Sequence, residues 1–170
     1  MAEDTLRHLP QDLVKVWVCY DPPERAVDVQ AWLEPLLVAD TEFLAQCPGD
    51  LGQRLNAVME AAFALPGLET LTFMGTDCPE ARWPVFVITR RMAAEGVDAV
   101  FGATEDGGYY LLTLRVPCPE LFRDIPWSTD RTLAASLQAA EAAGRKTHLL
   151  QRVLRDIDTV EDLRASGVEC

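Results

Sequence analysis

The stretch that decides the fold is Val97–Leu114, VDAVFGATEDGGYYLLTL. Two apolar runs, Val97–Gly102 and Tyr109–Leu114, flank the turn residues Glu105-Asp106-Gly107-Gly108. Short β-branched and apolar runs bounded by turn residues predict buried strands. The acidic turn between them has two interpretations. It is either a ligand loop at the end of a strand or a hairpin turn, because Asp-Gly supplies the positive φ that hairpins need.

Outward from this stretch, strand and helix patterns alternate along the chain, which is typical of an α/β fold. Further strands are predicted at Leu13–Tyr20, Thr41–Gln46, Leu68–Met74 and Thr147–Gln151. Helices are predicted at Ala2–Leu9, Val27–Leu37, Asp50–Ala64, Trp83–Glu95 and Asp130–Ala143, with a turn-rich connector at Pro117–Phe122. Internal repeats and low-complexity linkers are absent from the sequence.

The charge of the chain narrows the classes of partner. The sequence carries 15 Lys+Arg against 27 Asp+Glu, a formal net charge of −12. Binding to nucleic acid needs clustered Lys and Arg, so a nucleic-acid partner is not expected. If the ligand carries phosphates, a divalent cation is expected to mediate the contact.

Length and cysteine usage indicate one cytoplasmic domain over residues 1–170. A chain of 170 residues buries roughly 70% of the surface of its unfolded form, so it needs no disulfide or metal staple. No run approaches the roughly 18 apolar residues of a membrane span, and the acidic N-terminus lacks the apolar region of a signal peptide. The five cysteines show no CxxC spacing, which favours reduced thiols in a reducing compartment.

Three acidic loops follow predicted strands: Asp77 in GTDCP, Asp106 in EDGGYY, and Asp156 with Asp158 in DIDT. If the sheet is parallel at those points, the loops emerge at one edge, where α/β sheets bind ligands. Carboxylates gathered there would suit Mg²⁺ or Mn²⁺. Local alternatives remain open, because Asp77 could cap a helix and Asp158 could belong to a capping box at Thr159-Val160-Glu161-Asp162.

Two further motifs are candidates for ligand contacts. In PGDLGQR, Gly49, Asp50, Gly52 and Arg54 surround the start of a helix, which can bind an anion through backbone N–H groups; Asp50 could equally be an N-cap. Trp127-Ser128-Thr129 offers an aromatic ring and hydroxyls to a sugar or base, although Ser or Thr before a helix is commonly a cap. GxSxG and Walker A sequences are absent, so hydrolase and P-loop functions are not expected.

The motifs GDLGQRL, GTDCP, EDGGYYLL, LFRDIPWST and DIDTVEDL occur in this order, and together the chain resembles the DUF2064 family of bacterial GT-A-type transferases. The resemblance extends from about Glu3 to Leu163. It implies a three-layer α/β/α, GT-A-like fold with a mostly parallel sheet, similar to that of the molybdenum-cofactor guanylyltransferases. It also implies a glycosyltransferase or nucleotide-diphospho-sugar transferase activity.

The resemblance assigns roles to residues of this sequence. It implies that Asp77 holds a divalent metal at the nucleotide's phosphates and that Asp158 is a second carboxylate, with Asp156 a weaker candidate. Nucleotide contacts are implied for Gly49, Asp50, Gly52 and Arg54. Contacts on the acceptor side are implied for Gly107, Gly108 and Tyr109, and Asp106 is the candidate general base. Trp127, Ser128 and Thr129 match the family's WST element and are implied to contact the ligand.

The chain departs from the family pattern at its start. Members resembling it open with a strand, a glycine- and basic-rich loop and a helix, whereas this sequence begins within what resembles that helix. The resemblance therefore implies that the first strand-loop unit is missing. Since a buried sheet does not tolerate unpaired backbone groups, we expect Leu13–Tyr20 and Leu68–Met74 to pair directly or the chain to form a homodimer at that edge.

Three hypotheses of function follow. The first is a metal-dependent transferase acting on a nucleotide sugar. The second is a nucleotidyltransferase acting on a nucleoside triphosphate. The third is a catalytically inactive family member that keeps a ligand-binding or interaction role, as the missing loop would allow.

Overall fold

The computed structural model describes residues 2–9, 14–37, 41–78, 80–81 and 85–157. Strands and helices alternate along these residues, as the sequence pattern predicts. The strands are β1 (Trp17–Tyr20), β2 (Glu42–Ala45), β3 (Leu71–Met74), β4 (Ala99–Ala103), β5 (Tyr109–Leu114) and β6 (Thr147–Leu149). The α-helices are α1 (Ala2–His8), α2 (Ala26–Leu33), α3 (Leu51–Phe63), α4 (Val85–Glu95) and α5 (Thr132–Ala142), with 3₁₀ turns at Pro23–Arg25, Glu34–Leu36 and Pro119–Phe122.

The larger sheet has the strand order β3-β5-β4-β6. Strand β5 is antiparallel to both β3 and β4, while β4 and β6 are parallel. Strands β3, β4 and β6 therefore run in one direction, which confirms the mostly parallel sheet. The antiparallel β4–β5 pair is a hairpin through residues 104–108, so the hairpin interpretation of Asp106-Gly107 is also confirmed.

Helices cover both faces of this sheet, giving the expected α/β/α layers. On one face, Met59 of α3 and Ala140 of α5 pack in a cluster with the buried Phe101, Leu112 and Leu114. On the other face, Ile88 and Met92 of α4 pack with Val100, Tyr110 and Leu111. Because apolar layers bury both faces of β4, all five of its residues are inaccessible to water.

The two strands nearest the start of the chain, β1 and β2, form a separate sheet. Strands β1 and β2 pair in parallel, with Trp17 opposite Glu42 and Tyr20 opposite Ala45. Together with α1 and α2 they make up what we term the N-terminal unit. It has its own small core around Leu6, Val16 and Leu33.

The expectation that the first strand pairs directly with the strand ending at Met74 is wrong. Strand β1 bonds to β2 and strand β3 bonds to β5, in two separate sheets. Strand β1 takes as its partner the next strand along the chain, to which α2 carries it, whereas β3 bonds to β5, the strand that also pairs with β4. Among the described residues, the second edge of β1 and the second edge of β3 have no strand partner.

Candidate functional site

Two acidic loops lie at one edge of the larger sheet. Strands β3 and β4 run in the same direction, so the loop after Met74 and the loop after Ala103 leave from the same edge. These loops hold Asp77 and Asp106. The edge at the carboxyl ends of such strands is the usual ligand site of α/β sheets, and the structure places both predicted carboxylates there.

Asp77 presents an exposed carboxylate. Its Oδ1 lies 2.6 Å from the position that a Cβ on Gly75 would occupy, so the carboxylate folds back over a glycine that leaves room for it. No described residue donates a hydrogen bond or ion pair to this carboxylate. Helix α4 is described only from Val85, so Asp77 does not cap its first described turn. The carboxylate is thus available to a ligand.

A C-terminal segment crosses the same edge; we call residues 150–157 the strap. The Leu154 N–H donates to the Ala103 carbonyl at 3.0 Å, and the Glu105 N–H donates to the Leu154 carbonyl at 2.9 Å. Three residues later, the Ile157 N–H donates to the Asp77 carbonyl at 2.9 Å. The strap therefore joins the two acidic loops. Asp158, its predicted metal carboxylate, lies outside the described residues, but its neighbour Ile157 is bonded to the Asp77 loop.

Asp106 shapes the β4–β5 turn. Its Oδ1 accepts the Gly108 N–H at 2.9 Å and the Thr104 hydroxyl at 2.5 Å. Gly107 has φ +91°, and a Cβ there would lie 2.2 Å from the Asp130 carbonyl oxygen. The side chain is exposed, and both of these hydrogen bonds use Oδ1. Asp106 therefore combines a turn-forming role with a carboxylate accessible from solvent.

The WST motif packs against this turn. The Leu133 N–H of α5 donates to the Gly107 carbonyl at 2.9 Å, which brings the start of α5 to the turn. Trp127 meets the Tyr109 ring edge-on at 6.3 Å between centroids, and its Nε1 lies 2.8 Å from where a Cβ on Gly52 would be. The predicted EDGGYY, WST and GDLGQR motifs therefore converge around one indole.

Ser128 and Thr129 do not cap α5 as the helix-cap interpretation predicts. The N-cap of α5 is Arg131, which makes no side-chain capping bond. The Thr129 hydroxyl instead donates to the Pro126 carbonyl at 2.7 Å and accepts the Arg131 N–H at 3.3 Å. Ser128 is exposed with φ +58°, in the left-handed region that a non-glycine residue adopts only when its surroundings hold it there.

Tyr109 belongs to the interior rather than to an open binding surface. Its ring lies between Phe101 and Trp127. The hydroxyls of Tyr109 and Ser136 are buried, and neither has a partner that meets hydrogen-bond geometry. Burial raises the pKa of Tyr109 to about 12, and the neighbouring Ser136 hydroxyl offsets part of that rise. Tyr109 as a whole is half-buried, so its hydroxyl points into the interior while part of the residue is accessible.

The GDLGQR motif forms the start of α3. Asp50 is its N-cap: Asp50 Oδ1 accepts the Gln53 N–H at 2.8 Å, and Gln53 Oε1 accepts the Asp50 N–H at 2.9 Å. The capping interpretation is confirmed. Gly49 has φ +130°, and a Cβ there would meet Gln53 Oε1 at 2.2 Å, so this glycine makes the capping box fit.

Arg54 ties three segments together. Its Nη1 donates to Asp21 Oδ2 and to Gln46 Oε1, both at 3.0 Å, and its Nε donates to the Gly49 carbonyl at 3.1 Å. Asp21 follows β1 and Gln46 follows β2, so the guanidinium clamps the ends of both strands to α3. A guanidinium already paired with a carboxylate is a weaker phosphate anchor than a free one.

Whether a divalent cation fits at this sheet edge depends on the oxygen atoms that can bind it. Within the described ranges, no three His, Cys, Asp or Glu side chains gather closely enough to hold an ion by themselves. Mg²⁺ is commonly held by one or two carboxylates together with substrate phosphates. An exposed, unpartnered Asp77 at the sheet edge fits that donor set.

The DIDT motif predicted an acidic loop at this edge, but the hydrogen bonds that hold the strap there were not predicted. The strap is held by main-chain hydrogen bonds, and no particular residue type in a sequence indicates where such bonds form. The only available signal was the apolar pair Leu154 and Ile157 in a polar stretch; both side chains are buried.

Across the described part of the chain, no helix is long and apolar enough to cross a membrane.

The chain is similar to a protein family and to solved structures. A family model described as "Uncharacterized protein conserved in bacteria (DUF2064)" matches residues 5–129. A crystal structure of a "putative nucleotide-diphospho-sugar transferase" from Desulfovibrio desulfuricans G20 has 28% identity and a TM-score of 0.80, over 96% of this chain and 70% of that chain.

A second solved structure shares the fold alone. CMP:2-keto-3-deoxy-manno-octonic acid synthetase complexed with CTP has 14% identity and a TM-score of 0.61, over 96% of this chain and 84% of that chain. Among curated proteins, none matches the sequence significantly.

Proposed function

The chain belongs to the DUF2064 family, and from that membership together with the sheet-edge geometry we propose that it is a metal-dependent transferase that moves a glycosyl group from a nucleotide sugar to an acceptor. The observation that carries the proposal is the exposed Asp77 carboxylate, which no described residue pairs with, beside the strap and the Asp106 turn. The similarity to a proposed nucleotide-diphospho-sugar transferase at 28% identity supports the substrate class.

Asp77 would hold a Mg²⁺ or Mn²⁺ ion, with Asp158 as its second carboxylate, and the ion would neutralise the charge of the nucleotide's pyrophosphate. Gly75 leaves the space in which the Asp77 carboxylate sits. Arg54 is paired with Asp21, so positive charge for the phosphates has to come largely from the ion. Its proposed contribution to nucleotide binding is to hold the start of α3 in place.

The β4–β5 turn is the proposed acceptor side. Asp106 would accept the proton of the acceptor hydroxyl as that hydroxyl attacks, which is the task of a general base. Gly107 and Gly108 keep the turn close to Asp130 and Thr104. Exposed Ser128 and half-buried Thr129 form the neighbouring rim, next to the Trp127 ring that contacts Tyr109.

We also make proposals about the domain organisation, the compartment and the oligomeric state of the protein. We propose that residues 1–170 form one domain. We propose that it acts in the cytoplasm, because none of the four described cysteines, Cys19, Cys47, Cys78 and Cys118, forms a disulfide. We also propose a homodimer, because the second edges of β1 and β3 have no partner among the described strands and open edges favour pairing with another chain.

Calorimetric titration with UDP, GDP and CDP and their sugars, with and without Mn²⁺, tests the proposal. Wild type is expected to bind at least one of them only with Mn²⁺, and Asp77→Asn to lose that binding. Asp28→Asn is the matched control, since Asp28 is an exposed carboxylate paired with Arg25. A folded wild type that binds no nucleotide would contradict the proposal and favour the inactive family member.

Nucleotidyl transfer is the alternative that the same site allows, since the fold is shared with a synthetase complexed with CTP. The two reactions differ in what they release. Glycosyl transfer from a nucleotide sugar releases a nucleotide, whereas nucleotidyl transfer from a nucleoside triphosphate releases pyrophosphate. Chromatography of the products from each donor separates them.

A further inference from the structure

The strap is held at two levels of the sheet edge. At the end of β4, the Leu154 N–H donates to the Ala103 carbonyl, and the Leu154 carbonyl accepts a hydrogen bond from the Glu105 N–H. At the end of β3, Ile157 bonds to Asp77. Strand β5 lies between β3 and β4 in the sheet, so the strap spans the start of β5 as it passes from one loop to the other.

Burial holds the strap from below. Leu154 is 3% exposed and packs in the cluster of Cys78, Val100 and Tyr110, and Ile157 is 9% exposed. On the outside, Arg152 pairs with Glu80 at 2.7 Å, but both side chains are more than 60% exposed. Exposed pairs contribute little to stability, so the buried side chains and main-chain bonds carry the attachment.

The loop that holds Asp77 depends on the strap for its position. The Asp77 carboxylate has no bond from the described residues, and the bond to its main-chain carbonyl comes from Ile157. The loop continues from β3 through Gly75, whose N–H donates to the Tyr110 carbonyl at 3.0 Å. Beyond Gly75, the loop is held by the Ile157 N–H bond to the Asp77 carbonyl and by Cys78, which is 1% exposed in the same apolar cluster as Leu154.

We infer that Ile157 is a positioning residue, whose main-chain N–H holds the Asp77 carbonyl and so sets where the Asp77 carboxylate stands relative to the β4–β5 turn. The consequence for metal affinity rests on the proposed function, whereas the consequence for the loop does not. The residue acts through its amide, so a substitution that keeps the amide should preserve the role.

The test compares Ile157→Pro with Ile157→Ala. Proline removes the N–H, while alanine keeps it and removes buried side-chain atoms. In Ile157→Pro, amide hydrogen exchange at Gly75 and Ala81, whose N–H groups donate to the Tyr110 and Cys78 carbonyls at the two ends of the loop, is expected to rise by about five- to tenfold, the change that corresponds to one hydrogen bond. Ile157→Ala is expected to lower the melting temperature but to leave exchange in that loop close to wild type. Equal exchange in the two variants would overturn the inference.

Metal affinity provides the second readout. Titration of Mn²⁺ with UDP present, followed by the electron paramagnetic resonance of free Mn²⁺, is expected to show affinity weaker by about five- to tenfold in Ile157→Pro and unchanged in Ile157→Ala. Equal affinities in two variants that both bind would overturn the inference. If wild type binds no Mn²⁺, the proposed function has failed and loop exchange alone decides the positioning role.

Wild type decides the matter if Ile157→Pro does not fold. An amide that positions the loop must itself be protected, so exchange of the Ile157 N–H should be slower than that of an unstructured peptide by about fivefold or more. An unprotected Ile157 amide would overturn the inference.

Discussion

Strands β1 and β4 have similar apolar sequences but different surroundings. The β4 sequence AVFGA is buried at all five positions and bonded on both edges, to β5 and β6. The β1 sequence WVCY is half-buried at all four positions and bonded on one edge, to β2. Apolar composition selects a strand in both cases, whereas the layers on either side decide how far it is buried.

The same contrast separates the two cores. The larger sheet has one apolar cluster on each face. The N-terminal unit has one small cluster around Leu6, Val16 and Leu33, and the ends of both its strands are held to α3 by Arg54. We therefore expect the larger sheet to set the global stability and the N-terminal unit to open first.

The largest difference in unfolding free energy is expected when a large buried side chain is removed from each of the two cores. Phe101→Ala, at a ring with no exposure, is expected to lower the free energy of unfolding by about 3–5 kcal/mol, and Leu33→Ala by about 2 kcal/mol. Hydrogen exchange should show the Leu33→Ala effect confined to the N-terminal unit, at residues 2–9, 14–37 and 41–45. Equal losses by urea unfolding, with exchange raised throughout in both variants, would mean that the two regions unfold as one.

The turn that carries Asp106 is the next test. Gly107→Ala combines a positive φ with a clash against the Asp130 backbone, so it should cost about 2–4 kcal/mol. Gly67→Ala is the matched control: its φ is +79° but nothing lies within 4 Å of the added methyl, so only about 1 kcal/mol is expected. Thermal unfolding measures both, and similar losses would mean that the contact with Asp130 is unimportant.

Removing Arg54 should loosen the N-terminal unit without emptying either core. Arg54→Ala is expected to cost about 1–2 kcal/mol, because charge-assisted hydrogen bonds to Asp21 and Gln46 are lost at a partly exposed site. Arg25→Ala, which breaks an exposed pair with Asp28, should cost under about 0.5 kcal/mol. Exchange rates in β1 and β2 that stay at the wild-type value in Arg54→Ala would show that the clamp is not what holds them.

The smallest expected effect is a pH dependence confined to the larger sheet. Burial raises the pKa of Tyr109 to about 12, above the value of about 10 for an exposed tyrosine, so the neutral phenol is favoured in the folded state. Its contribution to stability is fully present below pH 10 and is lost as the pH rises towards 12. Tyr109→Phe should show less loss of stability than wild type over that window in urea unfolding. Identical pH profiles would contradict the buried placement of this hydroxyl.

Local pattern predicted most elements, and the β5 boundaries Tyr109–Leu114 agree residue for residue. The helix cap at Asp50 and the hairpin at Asp106 were also predictable from the sequence, because both depend on residues close in sequence. Pairing between strands was not, because β1 and β3 carry the same apolar pattern whether or not they are neighbours. The contact of Ile157 with Asp77 was hidden for a related reason: it joins main-chain atoms eighty residues apart.

The most direct test of a metal-dependent site at the sheet edge is paramagnetic broadening of backbone amide signals by Mn²⁺ in the presence of UDP. Broadening is expected to be strongest at residues 75–78, 104–108 and 154–157 and weak at Gly144 and in α2. Broadening centred on the exposed acidic residues of the N-terminal unit would contradict the account, as would spectra that Mn²⁺ and UDP leave unchanged.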